Sequence, residues 1–288
     1  MTSITTAGLS CLNSVKRGTE TTDRPAVPSI AVVSASFDRS GSMYSMGSAP
    51  KEALLDFIKD RRADAANNNS KITVTITTFD DRVERLFDNE PIENVTMTEA
   101  EAAHFINPRG GTRLIATAIE EVACLRRSFA KLKADNPNTV VTALYLLFTD
   151  GYDNESQPLT SRDLNTAIRM AQDEGITCIF AGADQDAISN GTQYGFSPAT
   201  CLRVSSSPIT AAAGFRSCSQ AMSRAVSGAP PGFTSLERAT SQHPEDLTPP
   251  TFRSNSRFQT VSTYPVTDAN VATNQNWFLA PPSQLTRS

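Results

Sequence analysis

Apolar residues recur along this chain in two rhythms: short continuous or alternating runs, and longer stretches spaced by three and four. Residues 30–37 (IAVVSASF) are continuous enough in Val, Ile and Ala to predict a central strand covered on both faces. Pro50 suits the first turn of a helix whose inner face carries Leu54, Ile58 and Ala65, and Asn67-Asn68-Asn69 ends it. Residues 71–79 alternate as a strand, Asp80-Asp81 turns the chain, and 83–87 return antiparallel as an edge hairpin. Thr98 with Glu101 three positions on predicts a capping box opening a short helix over 98–105.

The second half repeats the pattern. Ile115, Ile119, Val122, Leu125, Phe129 and Leu132 line one face of a long amphipathic helix. Residues 140–148 (VVTALYLLF) predict another buried strand. Thr160 and Asp163 frame a helix with Leu164, Ile168 and Ala171 inward and Gly175 as its stop. A strand over 176–181, a short helix over 186–194 and a last strand near 200–204 follow. A final helix from Ser207-Pro208 is expected to turn Ile209, Ala212, Phe215, Met222 and Val226 to the core. Strands alternating with helices define a doubly wound α/β fold, with a mostly parallel sheet and helices on both faces. In such sheets ligands sit beyond the C-terminal ends of the strands.

Both ends of the chain break the rhythm. Residues 1–28 are rich in Ser and Thr, lack aromatics and predict an N-terminal extension without a core of its own. They carry no basic segment ahead of an apolar one, so they do not read as a signal peptide. Residues 228–288 hold about half of the 17 prolines and little periodicity, and predict an extended C-terminal tail beyond a domain over 29–227. The tail also spaces out Phe233, Phe252, Phe258, Tyr264, Trp277 and Phe278. Such aromatics suit a strap that orders on assembly neighbours; plain disorder is the equal alternative.

Composition narrows the function. A chain of 288 residues, 39% hydrophobic and 19% charged, supports one sizeable core plus extensions. A net charge of -4 without a basic run or basic-aromatic stripe speaks against nucleic acid. No apolar stretch approaches the ~20 residues of a membrane span. Five cysteines without a C-x-x-C predict buried free thiols in a reducing, intracellular compartment, and only two histidines make a His-based zinc site improbable.

Three strand-end loops carry the candidate chemistry. The first strand runs into Asp38-Arg39-Ser40-Gly41-Ser42, which places a carboxylate and two hydroxyls on one side of a loop. These are hard oxygen ligands of the kind magnesium or manganese takes. A second loop holds Gly110-Gly111-Thr112-Arg113, and a third Thr149-Asp150-Gly151. The alternative is that all three are ordinary turns, in which these residue types abound.

On these motifs, residues 29–227 resemble a von Willebrand factor type A (VWA) domain with a metal-ion-dependent adhesion site. The resemblance implies that Ser40 and Ser42 bind Mg2+ or Mn2+ directly and that Thr112 binds directly or through water. Asp38 and Asp150 are implied to act largely through waters. It further implies that an Asp or Glu of a partner protein fills the remaining position. Gly-Gly-Thr-Arg-Leu and residues 180–187 resemble VWA proteins of bacteria, phages and large DNA viruses more than integrin-type extracellular domains. A virion or another shell, with the tail as strap, is therefore the alternative setting.

Secondary candidates are assigned as follows. Residues 44–49 form a long loop, exposed to solvent or offering Gly47 and its neighbouring methionines to a partner. Asp80, Asp81 and Asp153 are expected in turns or helix caps. Asp184 and Asp186 are a rim pair or, more simply, caps of the next helix. His104 is expected on a helix surface or partly buried, and Arg113 in a surface salt bridge or against an acidic partner. An enzyme is not expected: there is no nucleotide-binding G-x-x-x-x-G-K-[ST] or G-x-G-x-x-G loop. Asp38-Arg39-Ser40 also lacks the second Asp of a dehalogenase-like phosphatase, and histidines for a Ser-His-Asp set are too few.

Overall fold

The computed structural model describes residues 29–183 and 186–242. The N-terminal extension with Cys11, Asp184, and the tail aromatics beyond Phe233 lie outside the described residues, and so does the strap assigned to them. Six strands form one sheet: β1 (Ser29–Asp38), β2 (Ser70–Phe79), β3 (Val83–Pro91), β4 (Val140–Thr149), β5 (Thr177–Gly182) and β6 (Cys201–Arg203). Their order is β3-β2-β1-β4-β5-β6, parallel throughout except for the antiparallel edge strand β3.

The helices are α1 (Ala49–Asn68), α2 (Glu99–Phe105), α3 (Leu114–Asp135), α4 (Ser161–Asp173), α5 (Ala187–Gln193), α6 (Pro208–Val226) and α7 (Ser235–Thr240). Among the described residues no helix is long and apolar enough to cross a membrane. The α1 and α6 side chains Leu54, Phe57, Phe215 and Met222 pack on one sheet face. On the other, Val122 of α3, Leu164 and Ile168 of α4 and Ala187 of α5 form a second core. The capping boxes at Thr98 and Thr160 are both present. The centre of the sheet is buried on both faces, as the apolar runs require. Ala31, Val33, Ala35 and Phe37 of β1 enter the α1/α6 core. The intervening Ser34, Ser36 and Asp38 are also buried and point the other way. Ser34 donates to Glu121 of α3, which is paired with Arg85 of β3 at 2.5 Å, and Tyr145 donates to Ser36.

Two sequence expectations are corrected here. Residues 41–46 wind into a 3-10 turn rather than an open loop, and Met43 and Met46 are buried in the core. They cannot belong to a partner surface. Ile209 is 83% exposed. On a 100° per residue wheel it lies roughly opposite Phe215, Cys218 and Met222, so the period of α6 turns it out.

The chain does not leave the domain at Gly228. Phe233 enters the α1/α6 core, and its N–H donates to the Ala199 carbonyl. Thr234 and Glu237 form a capping box that opens α7. From α7, Arg238 donates to the carbonyls of Pro198, Ala199 and Cys201, and Ser241 to that of Arg203. The short edge strand β6 is thereby covered. Glu237 anchors the unit by accepting from both terminal nitrogens of Arg224, at 2.8 and 3.1 Å. Burial raises its carboxyl, but the bonds from Arg224 and Thr234 outweigh this and hold it below the usual 4.5. Its contribution is thus present above the ordinary Glu range and is lost as pH falls through the lowered folded value. Glu237→Gln is expected to cost about 1.5–3 kcal/mol at pH 7. Amide exchange across residues 233–241 should accelerate accordingly at pH 7, and much less once the pH has fallen through that lowered value.

Candidate metal centre

The strand order reverses between β1 and β4: β2 and β3 continue to one side of β1, β5 and β6 to the other side of β4. This is the switch point at which open α/β sheets leave a crevice beyond their strand ends. The β1–β4 register pairs Phe37 with Phe148, so Asp38 and Thr149 are the next residues of adjacent strands. Thr149 donates its hydroxyl to Asp38 Oδ2 at 2.6 Å, and the Ser40 N–H donates to Oδ1 at 2.7 Å. Asp38 is fully buried. Burial pushes its carboxyl up to about 6 despite the bonds from Thr149 and Ser40.

The remaining candidates converge on the same point. Ser40 Oγ and Ser42 Oγ lie 3.1 Å apart, and Ser42 donates to Asp150 Oδ1 at 2.6 Å. Thr112 is held by its backbone: its N–H donates to Asn154 Oδ1 at 2.7 Å, and its carbonyl accepts from Asn154 and Glu155. Thr112 itself is buried. A Cβ on Gly151 would stand 3.4 Å from Ser42 Oγ and 3.6 Å from Thr112 Oγ1. The absent side chain therefore leaves a space bordered by hydroxyls of the first and second loops, beside the third. Asp38, Ser40 and Thr112 form a buried floor; Ser42 is exposed and Asp150 half-buried. Two carboxylates and three hydroxyls suit a hard, oxygen-seeking divalent cation, and the arrangement fits one. Among the described residues no three His, Cys, Asp or Glu gather as metal ligands, since three of these five donors are hydroxyls.

Long-range bonds fix the loops. Arg39, in the middle of the Asp38-to-Ser42 motif, is 1% exposed and points away from the site. It pairs with Asp80 at 3.1 Å and with Glu84 at 2.5 Å, and donates to the Phe105 carbonyl. Arg109 of the second loop reaches the same two acids at 2.5 and 2.6 Å. Burial raises the Asp80 carboxyl, yet the bonds from Arg109 and the Arg82 N–H, with the Arg39 charge, bring it below the usual range. The Arg109 N–H donates to the Arg39 carbonyl, and the Arg113 N–H to that of Asp80. Gly110, at φ +66, would drive a Cβ to 2.4 Å from Asp81 Oδ1; one on Gly111 would meet Asn154 and Glu155 at 2.8 Å. Glycines let the second loop lie between its neighbours.

The third loop is tied down by capping a helix elsewhere in the chain. Arg113 does not cap α3 with its side chain. Instead Asp153 Oδ1 accepts from the Ile115 N–H and Ser156 Oγ from the Ala116 N–H, both at 2.9 Å. Asp153 is therefore a helix cap, of a helix far behind it in sequence. Arg113 pairs with Glu120 at 3.2 Å. His104 is exposed on α2 with its ring against Phe105. Asp186 precedes α5 without a side-chain cap bond. Cys178, Cys201 and Cys218 are buried free thiols and Cys124 is a half-buried one. Burial pushes Cys178 and Cys201 up to about 12 and Cys218 higher still.

Fold and loops define a doubly wound α/β domain with an oxygen-lined crevice at its switch point. The von Willebrand factor type A domain model matches residues 29–209, and the chain belongs to that family. No curated protein sequence matches it significantly. Among solved structures it is similar to proximal thread matrix protein 1 of the mussel byssus, with 17% identity and a TM-score of 0.45; the match covers 67% of this chain and 46% of that one. The pilus adhesin SpaC of Lactobacillus rhamnosus GG matches at 15% identity and TM-score 0.45, over 70% of this chain and 31% of that one. The manganese-loaded TRAP protein of Plasmodium vivax matches at 13% identity and TM-score 0.37, over 57% and 61%. The chain thus spans from about a third to three fifths of these proteins.

Proposed function

We propose that the chain is a divalent-metal-dependent protein-binding module. Asp38, Ser40, Ser42, Thr112 and Asp150 would hold Mg2+ or Mn2+, and a partner's Asp or Glu would complete the site. The observation that carries this reading is the space beside Gly151, bordered by the Ser42 and Thr112 hydroxyls at the open end of the β1/β4 crevice. Bound there, the cation supplies an electrophilic position for a carboxylate. The protein's own part is orientation. Thr149 and the Ser40 N–H aim Asp38, Asn154 fixes the backbone of Thr112, and the exposed Ser42 leaves the outer side open. VWA domains are generally interaction modules without catalysis, and we extend that to this chain.

Gly151→Ala tests the reading, because the new methyl fills the space while meeting its neighbours at ordinary contact distance. Calorimetric titration of the full chain with Mg2+ and Mn2+ into the millimolar range should show saturable binding by the wild type. Gly151→Ala should bind at least about 10-fold more weakly, with metal-free stability within about 1 kcal/mol of wild type. Equal binding by both proteins, or none by either, would sink it.

A further inference from the structure

We propose that the site selects a carboxylate flanked on one side by bulky apolar side chains, because an apolar rim whose Tyr44 and Ile209 segments carry no charge borders the metal position. This deepens the function proposed above and rests on it.

Three of the most exposed large apolar residues stand on segments that meet at the crevice. Ser42 is bonded to Asp150 at 2.6 Å, and two positions beyond each partner stands an outward-facing tyrosine: Tyr44, 83% exposed, and Tyr152, 58% exposed. The contact between Ser42 and Asp150 brings the segments bearing both rings to the same mouth. The 3-10 turn leads on to Gly47, where a Cβ would lie 3.5 Å from Pro208. The start of α6 is thus packed against the first loop, and Ile209, 83% exposed, projects from it. The helix period turns Ile209 away from the α6 core and leaves it facing out beside the first loop. That position makes it available as the third member of a rim.

The charge distribution decides the partner's chemistry. Residues 40–50 and 204–215, which carry Tyr44 and Ile209, hold no charged side chain. Across the site the second loop is surrounded by charges: Arg109, Arg113, Asp81 beside Gly110 and Glu155 beside Gly111. A carboxylate seated at the metal position therefore has a neutral apolar border toward the 3-10 turn and α6, and a charged border toward the second loop. An acidic residue with aromatic or branched apolar neighbours buries surface on the first border. Polar neighbours leave the tyrosines and Ile209 in water.

The probes are two N-acetylated, C-amidated decapeptides, each with a central Asp as its sole carboxylate. One carries Phe and Leu beside the Asp and the other Ser and Asn, each made in both orders. Binding to the full chain is measured by fluorescence anisotropy with Mg2+ and with EDTA, and magnesium titration is run on the same samples. Expected is a preference of at least about 10-fold for the apolar-flanked peptide, present only with Mg2+. In Tyr44→Ser/Tyr152→Ser/Ile209→Ser the preference should fall to about 1, with magnesium affinity and the weaker peptide's binding unchanged. Equal, magnesium-dependent binding of both peptides by the wild type overturns the rim and leaves the metal site standing. Equal binding in EDTA overturns it as well. So does no binding of either peptide, in which case the magnesium titration shows separately whether the metal site has failed.

Discussion

Arg39→Met is expected to lower the unfolding free energy by about 3 kcal/mol, toward the lower end of the range for breaking a buried ion pair. Arg39 and Asp80 are both almost completely inaccessible, and methionine replaces the aliphatic stem but not the charge. Asp80 keeps Arg109, while Glu84 and the Phe105 carbonyl lose a donor each. The cost falls mainly on Asp80, which is inaccessible and keeps only the half-exposed Arg109 as a charged partner; Glu84 is 37% exposed and also keeps Arg109. Urea unfolding measures it directly. A change below about 1 kcal/mol would show that Arg39 and its acids are not coupled as described. Because Arg39 stands between Asp38 and Ser40, metal affinity should fall in the same variant while the ligands themselves remain.

Ser40→Ala/Ser42→Ala carries the larger functional effect. Removing two of three hydroxyl donors should weaken Mg2+ and Mn2+ binding by about 100-fold or more, beyond what loss of one outer-shell partner costs. Stability without metal should change by only about 1–2 kcal/mol, since what is lost is the bond between the two hydroxyls, the bond to Asp150 and the Ser40 hydroxyl's bond to Asp38. Calorimetry and unfolding in EDTA on the same preparation separate the two quantities. Retained affinity would remove the serines from the site.

The fold was largely legible because its signals are local. The runs over 30–37 and 140–148 are buried on both faces from Ala31 and Ala143 onward, and the boxes at Thr98 and Thr160 cap helices through residues three apart. The same signal was present at Thr234 and Glu237, with Phe233 ahead of it, but the proline-rich composition around it masked one short helix. The outward turn of Ile209 was readable from its angle to Phe215 and Met222. Within the site, the five oxygen donors could be proposed from loop chemistry. What holds them could not. Arg39 occupies a position the motif leaves open, and its partners Asp80 and Glu84 lie some forty residues away. Asp153 caps a helix behind it in sequence, a pairing that only the closed fold brings about.

The most direct test of the central claim is anomalous diffraction from crystals of the full chain soaked in millimolar MnCl2. A manganese peak about 2.1 Å from the Ser40 and Ser42 hydroxyls, beside Gly151 and within reach of Thr112, Asp38 and Asp150, is the predicted result. Manganese bound only elsewhere, or none at this crevice, would contradict the account.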